Sequence, residues 1–214
     1  VASAAECRRI QQSYMERNRL HIPTLIMGDV IHGCRTIFPI PLAIGSSWST
    51  DAARTMARVA ARESSASGLH VTFSPMVDLV RDPRWGRVME STGEDPWLNA
   101  LMAAAMVEGY QGGRAGSAET LADPAATVGA CVKHFAGYGA PEGGREYNTV
   151  NMSERQLRND YLPGYHAGID AGAKLVMTSF NTVDGIPATG NRHLMRDILR
   201  DEFGFDGVLI SDFG

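Results

Sequence analysis

The sequence predicts an α/β fold built as a (β/α) TIM-type barrel. Short apolar segments alternate with helix-like segments five times along the 214 residues, with crossovers long enough to join parallel strands. Long polar loops fall on one side of the alternation, as at the carboxyl-terminal face of a barrel. The glycine fingerprint of a dinucleotide site is absent after the first predicted strand, which argues against an open doubly wound sheet.

The composition indicates an ordinary globular protein with a small negative charge. Hydrophobic residues make up 44% and charged residues 21% of the chain, which is long enough to bury a core of its own. The net charge of -4, without a Lys/Arg run, argues against nucleic acid or an anionic membrane as the main partner. No apolar run approaches the roughly 20 residues that span a bilayer. The three cysteines lack the spacing of a metal site, so no metal is expected.

Two helices alternate with two strands in the first half of the chain. The predicted segments are a helix over 2 to about 19, a strand over 24–28, a helix from about 50 to 67 and a strand over 70–74. Ser49 or Thr50 is the expected N-cap of the second helix, and Gly68 is its stop signal.

The second half continues the alternation with three more helix–strand pairs. Its predicted segments are a helix starting at Pro96, a strand over 128–132, a helix opened by the capping-box pattern of 153–156, a strand over 174–179, a helix from Asn191 to Gly204 and a strand over 208–210. The Gly/Ala-rich stretch 112–127 is expected to be a surface excursion. The last strand consists of Val208, Leu209 and Ile210, and this apolar run predicts that it is buried.

Polar or reactive side chains follow all five predicted strands. In strand order they are Asp29, then Arg87 in the second loop, Lys133 with His134, Ser179 with Phe180, and Asp212. Because the carboxyl ends of barrel strands open on one face, these side chains are expected to form one cluster there. A barrel places its reacting groups at such strand ends, so Asp212 is interpreted as a catalytic nucleophile.

Taken singly, the same residues have structural explanations. Asp29 suits a turn, and Arg87 suits a solvated charge or a tether within its loop. Lys133 and His134 require partners at a buried strand tip. Besides a polyhydroxylated ligand, their available partners are Glu90, Glu94 and Asp95.

Asp212 and two tryptophans also have two interpretations each. Asp212 suits the N-cap of a segment that would follow it. Trp85 and Trp97 suit either the core or a position beside the pocket, where an indole stacks on a pyranose face.

Six motifs extend over nearly the whole chain. They are DVIHG (29–33), RDPRWGR (81–87), ESTGEDP (90–96), KHF (133–135), EGGREYN (142–148) and SD (211–212). With these motifs in this order, the chain resembles the family 3 glycoside hydrolases, in their β-glucosidase branch. The β-N-acetylglucosaminidase branch uses an acid/base histidine on the loop after KHF, and residues 135–139 contain no histidine.

The resemblance implies a retaining, exo-acting β-glucosidase that uses no cofactor. Asp212 would attack the anomeric carbon and form a covalent glycosyl-enzyme. The residues that the resemblance implies around the non-reducing terminal glucose are Asp29, Arg87, Lys133, His134, Met177 and Phe180. The implied substrates are small oligosaccharides and aryl or alkyl β-glucosides, and analogy places such enzymes in the periplasm or outside the cell.

Two features depart from the family pattern. Cys34 follows His-Gly, where relatives usually carry a larger polar or aromatic residue. The chain also ends two residues after Asp212, whereas the family's acid/base is usually a glutamate of a following α/β sandwich domain. Residues 1–214 are therefore expected to be the N-terminal barrel domain, incomplete at its C-terminal end, and its partner the remainder of its own enzyme. Because a retaining glycosidase needs a second carboxyl group about 5–5.5 Å from the nucleophile, the isolated chain is expected to be inactive or nearly so.

Two alternatives to a β-glucosidase stay open from the sequence. The first is a β-xylosidase or a broad β-glycosidase of the same family, because a pocket for one pyranose tolerates the loss of a hydroxymethyl group. The second is a non-catalytic sugar-binding remnant, which would keep the binding residues and gain nothing from Asp212.

Overall fold

The computed structural model describes residues 3–213, which contain one five-stranded parallel sheet. Its strands are β1 (Met27–Gly28), β2 (Val71–Thr72), β3 (Gly129–Phe135), β4 (Leu175–Thr178) and β5 (Val208–Ile210). Each strand pairs in parallel with the next strand of this series, so the order never reverses. A doubly wound sheet reverses its strand order at a switch point, whereas a barrel does not. The predicted fold class is therefore confirmed as an incomplete TIM-type barrel.

Helices connect the strands and cover the outer face of the sheet. They are α1 (Ala4–Arg17), α2 (Pro41–Ser46), α3 (Thr50–Ala66), α4 (Pro96–Gln111), α5 (Glu154–Gln156), which continues in π form over Leu157–Tyr161, α6 (Pro163–Asp170) and a π-type helix over His193–Glu202. A small antiparallel hairpin, Thr182–Val183 with Ile186–Pro187, lies apart from the sheet. No helix within residues 3–213 has both the length and the apolar character needed to cross a bilayer.

Local capping chemistry sets the helix boundaries. The Ser49 hydroxyl accepts a hydrogen bond from the backbone N–H of Ala52, and Gly68 follows the end of α3 at a φ of +94°. The Asp95 carboxylate caps α4 just before Pro96, and the Ser153 hydroxyl caps α5. These predicted helix starts are confirmed. The first helix was predicted from residue 2, which lies outside the described residues.

The core is centred on α4, which packs between α3 and α6. Gly109 lies so close to α3 that an added Cβ would stand 2.5 Å from the Arg54 carbonyl oxygen. Near the end of the same helix, the Tyr110 hydroxyl donates to the Val30 carbonyl and accepts from the Ser74 hydroxyl. Through these two bonds α4 holds the chain segments that follow β1 and β2.

The structure corrects the predictions for four strands. β1 and β2 have two residues each, because an apolar run reports burial and only part of each run forms ladder hydrogen bonds. β3 continues to Phe135, so Lys133 and His134 lie inside the strand instead of after it. β5 is not buried: Val208 is 54% exposed, because the strand pairs only with β4 among the described residues.

The structure also decides the predictions made for the surface excursion and for the two tryptophans. Most of the stretch 112–127 is exposed, as predicted. Trp85 is a core residue that packs edge-on against Tyr138, with ring centroids 5.2 Å apart. Trp97 is exposed on the first turn of α4 and does not line the cavity described below.

Candidate active site

A cavity of about 810 Å³ opens at the carboxyl ends of the strands. All seven candidate residues line it: Asp29, Arg87, Lys133, His134, Met177, Phe180 and Asp212. The remaining lining residues are Ile31, Phe73, Glu90, Tyr147, Ser211 and Phe213. We call this space the strand-end cavity. Parallel strand order therefore brings the candidates from all five strand–loop units to one place.

Lys133 supplies a buried positive charge to the strand-end cavity. Its side chain is 4% exposed, and its Nζ lies 2.6 Å from Oδ1 of Asp29. The Asp29 side chain is 60% exposed, so its second oxygen is open to a ligand. Asp29 is thus the partner of Lys133, and none of the acids of the 90–95 loop takes that place.

Arg87 is held in the cavity wall by a two-point ion pair. Its Nε and Nη2 donate to the two carboxylate oxygens of Glu90 at 2.7 and 2.9 Å. Its Nη1 lies 3.2 Å from Nε2 of His134, and its guanidinium lies 5.7 Å from the Tyr138 ring centroid. Burial acts to lower the pKa of Arg87, but hydrogen bonding and the charge of Glu90 outweigh it and raise that pKa. Arg87 therefore carries a permanent charge at the cavity.

His134 is fully buried, and Asp78 contacts both its ring and its backbone nitrogen. One carboxylate oxygen of Asp78 lies 2.7 Å from His134 Nδ1 and 3.1 Å from its backbone nitrogen. The other oxygen accepts a hydrogen bond from the Tyr165 hydroxyl at 2.7 Å. Burial, followed by the charge of Asp78, raises the pKa of Tyr165 well above its ordinary value. The Tyr165 hydroxyl therefore stays protonated and is a donor to Asp78.

Asp212 lies two residues beyond the end of β5, with its carboxylate directed into the strand-end cavity. Its Oδ2 is 3.5 Å from Nε2 of His134, and its side chain is 14% exposed. Its Oδ1 accepts a hydrogen bond from the adjacent N–H of Phe213. This contact is to the next residue, whereas an N-cap bonds two or three residues ahead. Gly214, where such a bond would begin, lies outside the described residues.

Tyr147 and Phe180 form an aromatic wall of the strand-end cavity, and the fully buried Tyr138 contacts both of them. Tyr138 packs edge-on against His134 and Phe180, and Phe180 lies 5.4 Å from the Tyr147 ring. The Tyr138 hydroxyl donates to the Glu146 carboxylate. Burial and that acceptor raise the pKa of Tyr138. A wall of this kind suits a ligand with apolar ring faces, such as a pyranose.

No cluster of three His, Cys, Asp or Glu side chains within residues 3–213 is arranged to hold a metal ion. The acids of the strand-end cavity are engaged otherwise, since Asp29 pairs with Lys133 and Glu90 with Arg87. The arrangement therefore offers carboxylate oxygens, cations and hydrogen-bond acceptors to a polyhydroxylated ligand.

The family of the chain follows from a match over its whole length. Residues 1–214 match the model of the glycosyl hydrolase family 3 N terminal domain. The chain belongs to glycosyl hydrolase family 3. The resemblance that the six sequence motifs predicted is thereby confirmed.

Curated relatives of this family 3 chain include β-glucosidases and β-xylosidases. The periplasmic β-glucosidase of Salmonella typhimurium is 49% identical over 209 residues, which cover 98% of the chain and 26% of that protein. A β-xylosidase of Formosa agariphila is 40% identical over 207 residues, which cover 91% of the chain and 28% of that protein. The chain thus spans little more than a quarter of the length of these family 3 relatives.

A solved family 3 structure matches the whole fold. It is the β-glucosidase from Listeria innocua in complex with glucose, with a TM-score of 0.95 and 62% identity. The match covers 100% of the chain and 29% of that structure's chain. The same protein has also been solved with isofagomine, with gluconolactone and, as a mutant, with laminaribiose.

The sequence did not single out the residues that hold His134 in place at the strand-end cavity. Asp78 and Tyr165 were not singled out, although together they hold both the ring and the backbone of His134. One signal was available for Asp78, which is the only charged residue in the apolar run 76–80. A carboxylate inside such a run requires a polar partner elsewhere in the fold.

Proposed function

We propose that this chain is the sugar-binding and nucleophile-bearing part of a retaining, exo-acting β-glucosidase. The observation that carries the proposal is that the Asp212 carboxylate shares one cavity with Asp29, Arg87, Lys133 and His134. The substrate class is small β-glucosides, from oligosaccharides to aryl or alkyl glucosides, that present a terminal non-reducing glucosyl residue. The Listeria protein, solved with glucose and laminaribiose, supports this class.

Asp212 acts as the nucleophile in the proposed mechanism. One of its oxygens forms a bond to the anomeric carbon while the glycosidic bond breaks, and the leaving oxygen takes a proton from an acid. Water, deprotonated by the same group, then displaces Asp212 and releases the sugar with its configuration retained. Arg87 and Lys133 line the same cavity and place positive charge around the site of this attack.

The other candidates bind the sugar in this proposal. Asp29 accepts hydrogen bonds from neighbouring hydroxyls with its exposed oxygen, while Lys133 holds its other oxygen. Arg87 donates to a hydroxyl, and Met177 and Phe180 provide apolar contacts to the ring. Hydrogen bonds that strengthen as positive charge develops on the sugar lower the barrier further.

The acid/base is proposed to come from a downstream α/β sandwich domain, with residues 1–214 forming the N-terminal barrel domain. Asp29 and Glu90 are the other carboxylates that line the strand-end cavity, and each is tied to a cation. A carboxylate in an ion pair with a buried or semi-buried cation is a poor proton donor. We expect the isolated 214-residue chain to show no measurable turnover of an aryl β-glucoside, and the full-length enzyme to be active. Robust turnover by the isolated chain would place the acid within residues 1–214.

Covalent trapping tests the proposed role of Asp212. A 2-fluoro glucoside with a good leaving group should inactivate the full-length enzyme, and peptide mass analysis should find the sugar on Asp212. A non-catalytic sugar-binding protein would not be labelled at all. Labelling of another carboxylate would remove Asp212 from the proposed role. Asp170→Asn, at an exposed position at the end of α6, is a matched variant that should still be labelled.

The β-xylosidase of Formosa agariphila supports a second candidate substrate class. The two classes differ by the hydroxymethyl group of glucose, which is worth roughly 1–3 kcal/mol in a matching pocket. Comparing kcat/KM for aryl β-glucoside and aryl β-xyloside with the full-length enzyme separates them. A preference for glucoside of about tenfold or more is expected. By analogy with the Salmonella relative, the proposed location is the periplasm or outside the cell.

A further inference from the structure

The ring of His134 stands between two groups that compete for its Nε2 atom. Nη1 of Arg87 lies 3.2 Å from this nitrogen, and Oδ2 of Asp212 lies 3.5 Å from it. Arginine is a donor at every working pH, so its contact requires a lone pair on Nε2. A proton on Nε2 would instead repel Arg87 and point toward Asp212. The position of one proton therefore decides which of the two neighbours His134 engages.

Asp78 receives three hydrogen bonds from donors around it. They come from the backbone N–H of His134, its ring Nδ1 and the hydroxyl of Tyr165. Asp78 is 1% exposed, and its carboxylate makes no ion pair with Lys or Arg within residues 3–213. A buried carboxylate without a cation is costly unless donors saturate its oxygens. Asp78 thus accepts a hydrogen bond from Nδ1 of His134, which requires the ring proton to be on that nitrogen.

We propose that Asp78 is a positioning residue that sets the tautomer of His134. By holding the proton on Nδ1, it presents the Nε2 lone pair to the strand-end cavity. The lone pair keeps Arg87 in place and gives Asp212 no hydrogen-bond donor on that side. This inference rests on the proposed function, in which Asp212 is the nucleophile.

The consequence for Asp212 follows from elementary carboxylate chemistry. A hydrogen bond from an imidazole N–H stabilises the ionised carboxylate and makes it a weaker nucleophile. The Asp78-directed tautomer removes that donor and leaves the oxygen nearest His134 free to attack. Tyr165 acts on His134 indirectly, because its hydrogen bond to the second oxygen of Asp78 orients that carboxylate.

Asp78→Leu in the full-length enzyme is the decisive variant. Leucine is close to aspartate in size but offers no acceptor to Nδ1, so the ring proton is no longer held there and moves to Nε2, where Asp212 can accept it. With its proton on Nε2, the His134 ring then donates a hydrogen bond to Asp212 and repels Arg87. We expect kcat for an aryl β-glucoside to fall by roughly 100-fold, because a displaced reacting group typically costs that factor. KM should rise by a smaller factor than kcat falls, because the variant displaces the sugar-binding Arg87 but leaves the exposed oxygen of Asp29 untouched.

Two further variants calibrate this result. Tyr165→Phe leaves both His134 contacts of Asp78 in place, so its loss in kcat should be under about tenfold. Asp170→Asn alters a second Asp–His pair, His166 with Asp170 at 3.6 Å, which is exposed and far from the cavity lining. It should leave kcat unchanged.

The tautomer itself is read by ¹⁵N NMR of the histidine-labelled full-length enzyme, with His134→Gln used for assignment. The wild type should show a protonated Nδ1 and an unprotonated Nε2 at working pH, and Asp78→Leu should show the reverse. A wild-type ring with Nε2–H, or one protonated on both nitrogens, would overturn the inference even if Asp78→Leu failed to fold. A folded Asp78→Leu enzyme with wild-type kcat would also overturn it. Wild-type enzyme without glycosidase activity would instead reject the proposed function, and the tautomer would still be measurable.

Discussion

Individual side chains of the strand-end cavity are stabilised by partners that lie far away in the sequence. Lys133 is the clearest case, because its charge is buried and its stabilising partner, Asp29, lies 104 positions earlier in the chain. Burying an ammonium group without such a partner costs several kcal/mol. The ion pair therefore brings a cation into the core and also orients a carboxylate toward the ligand.

Lys133→Met should separate these two effects. Methionine replaces the buried aliphatic stem and removes the charge, so Asp29 loses its orienting contact while the packing is retained. We expect kcat/KM of the full-length enzyme for an aryl β-glucoside to fall by at least about 100-fold, with little change in melting temperature. Lys174 is the only other lysine, and it is exposed, so Lys174→Met is the matched control and should keep full activity. Activity of Lys133→Met within threefold of wild type would contradict the role of this pair.

Among the helices, α4 shows how packing overrides local preference. Gly109 is in the interior of this helix, where alanine would be favoured by about 1 kcal/mol in an isolated peptide. In the protein, an alanine Cβ would stand 2.5 Å from the Arg54 carbonyl oxygen and 2.7 Å from the Ala57 Cβ on α3. Backbone atoms cannot yield as a flexible side chain does, so the two helices would have to separate.

Gly109→Ala should therefore destabilise the enzyme in spite of its better helix propensity. Overpacking of this kind costs roughly 1–3 kcal/mol, which exceeds the gain in propensity. Differential scanning calorimetry should show a lower melting temperature for the transition that contains this domain. Gly190→Ala is the control, because no atom lies within 4 Å of the added Cβ and no shift is expected. An unchanged or higher melting temperature for Gly109→Ala would show that α3 and α4 separate without cost.

The described residues as a whole form a partial barrel with two open sheet edges. β1 and β5 are the edge strands, and exposed apolar side chains such as Leu25 and Val208 lie beside them. A closed barrel has no edges, so within residues 3–213 the barrel is incomplete at both β1 and β5. Internal connections such as the Tyr110 hydroxyl hold the existing segments together.

The stability of the assembled fold should fall in alkaline solution through Tyr110. Burial raises the pKa of this hydroxyl to about 12, whereas an unfolded tyrosine titrates near 10. Since the unfolded chain loses this proton first, each pH unit between about 10 and 12 favours unfolding by up to roughly 1.4 kcal/mol. Melting temperatures measured at pH 9, 10 and 11 should fall more steeply for the wild type than for Tyr110→Phe. Parallel pH profiles of the two proteins would exclude this contribution.

Much of the architecture could be predicted because its signals are local. Ser49, Asp95 and Ser153 cap helices through bonds to residues only three positions away, and alternating apolar runs reveal strand number and type. Parallel order then brings residues such as Asp29 and Asp212 to one face without further information. The fold class and the grouping of six candidates around one cavity were accessible on this basis, whereas Met177 came from the family resemblance and Ser179, predicted in the same cluster, is buried and does not line the cavity.

Partner choice and exact burial were decided only in three dimensions. Asp78 meets His134 across 56 positions and Tyr165 across 87, and no pattern within a few residues of any of them specifies these contacts. The exposure of β5 is of the same kind, because its apolar residues match a buried strand, and Val208 is exposed because no strand within residues 3–213 pairs with the other edge of β5. Periodicity and capping act over one turn or one strand, whereas hydrogen-bond pairing at a strand end depends on which distant segments the folded sheet brings together.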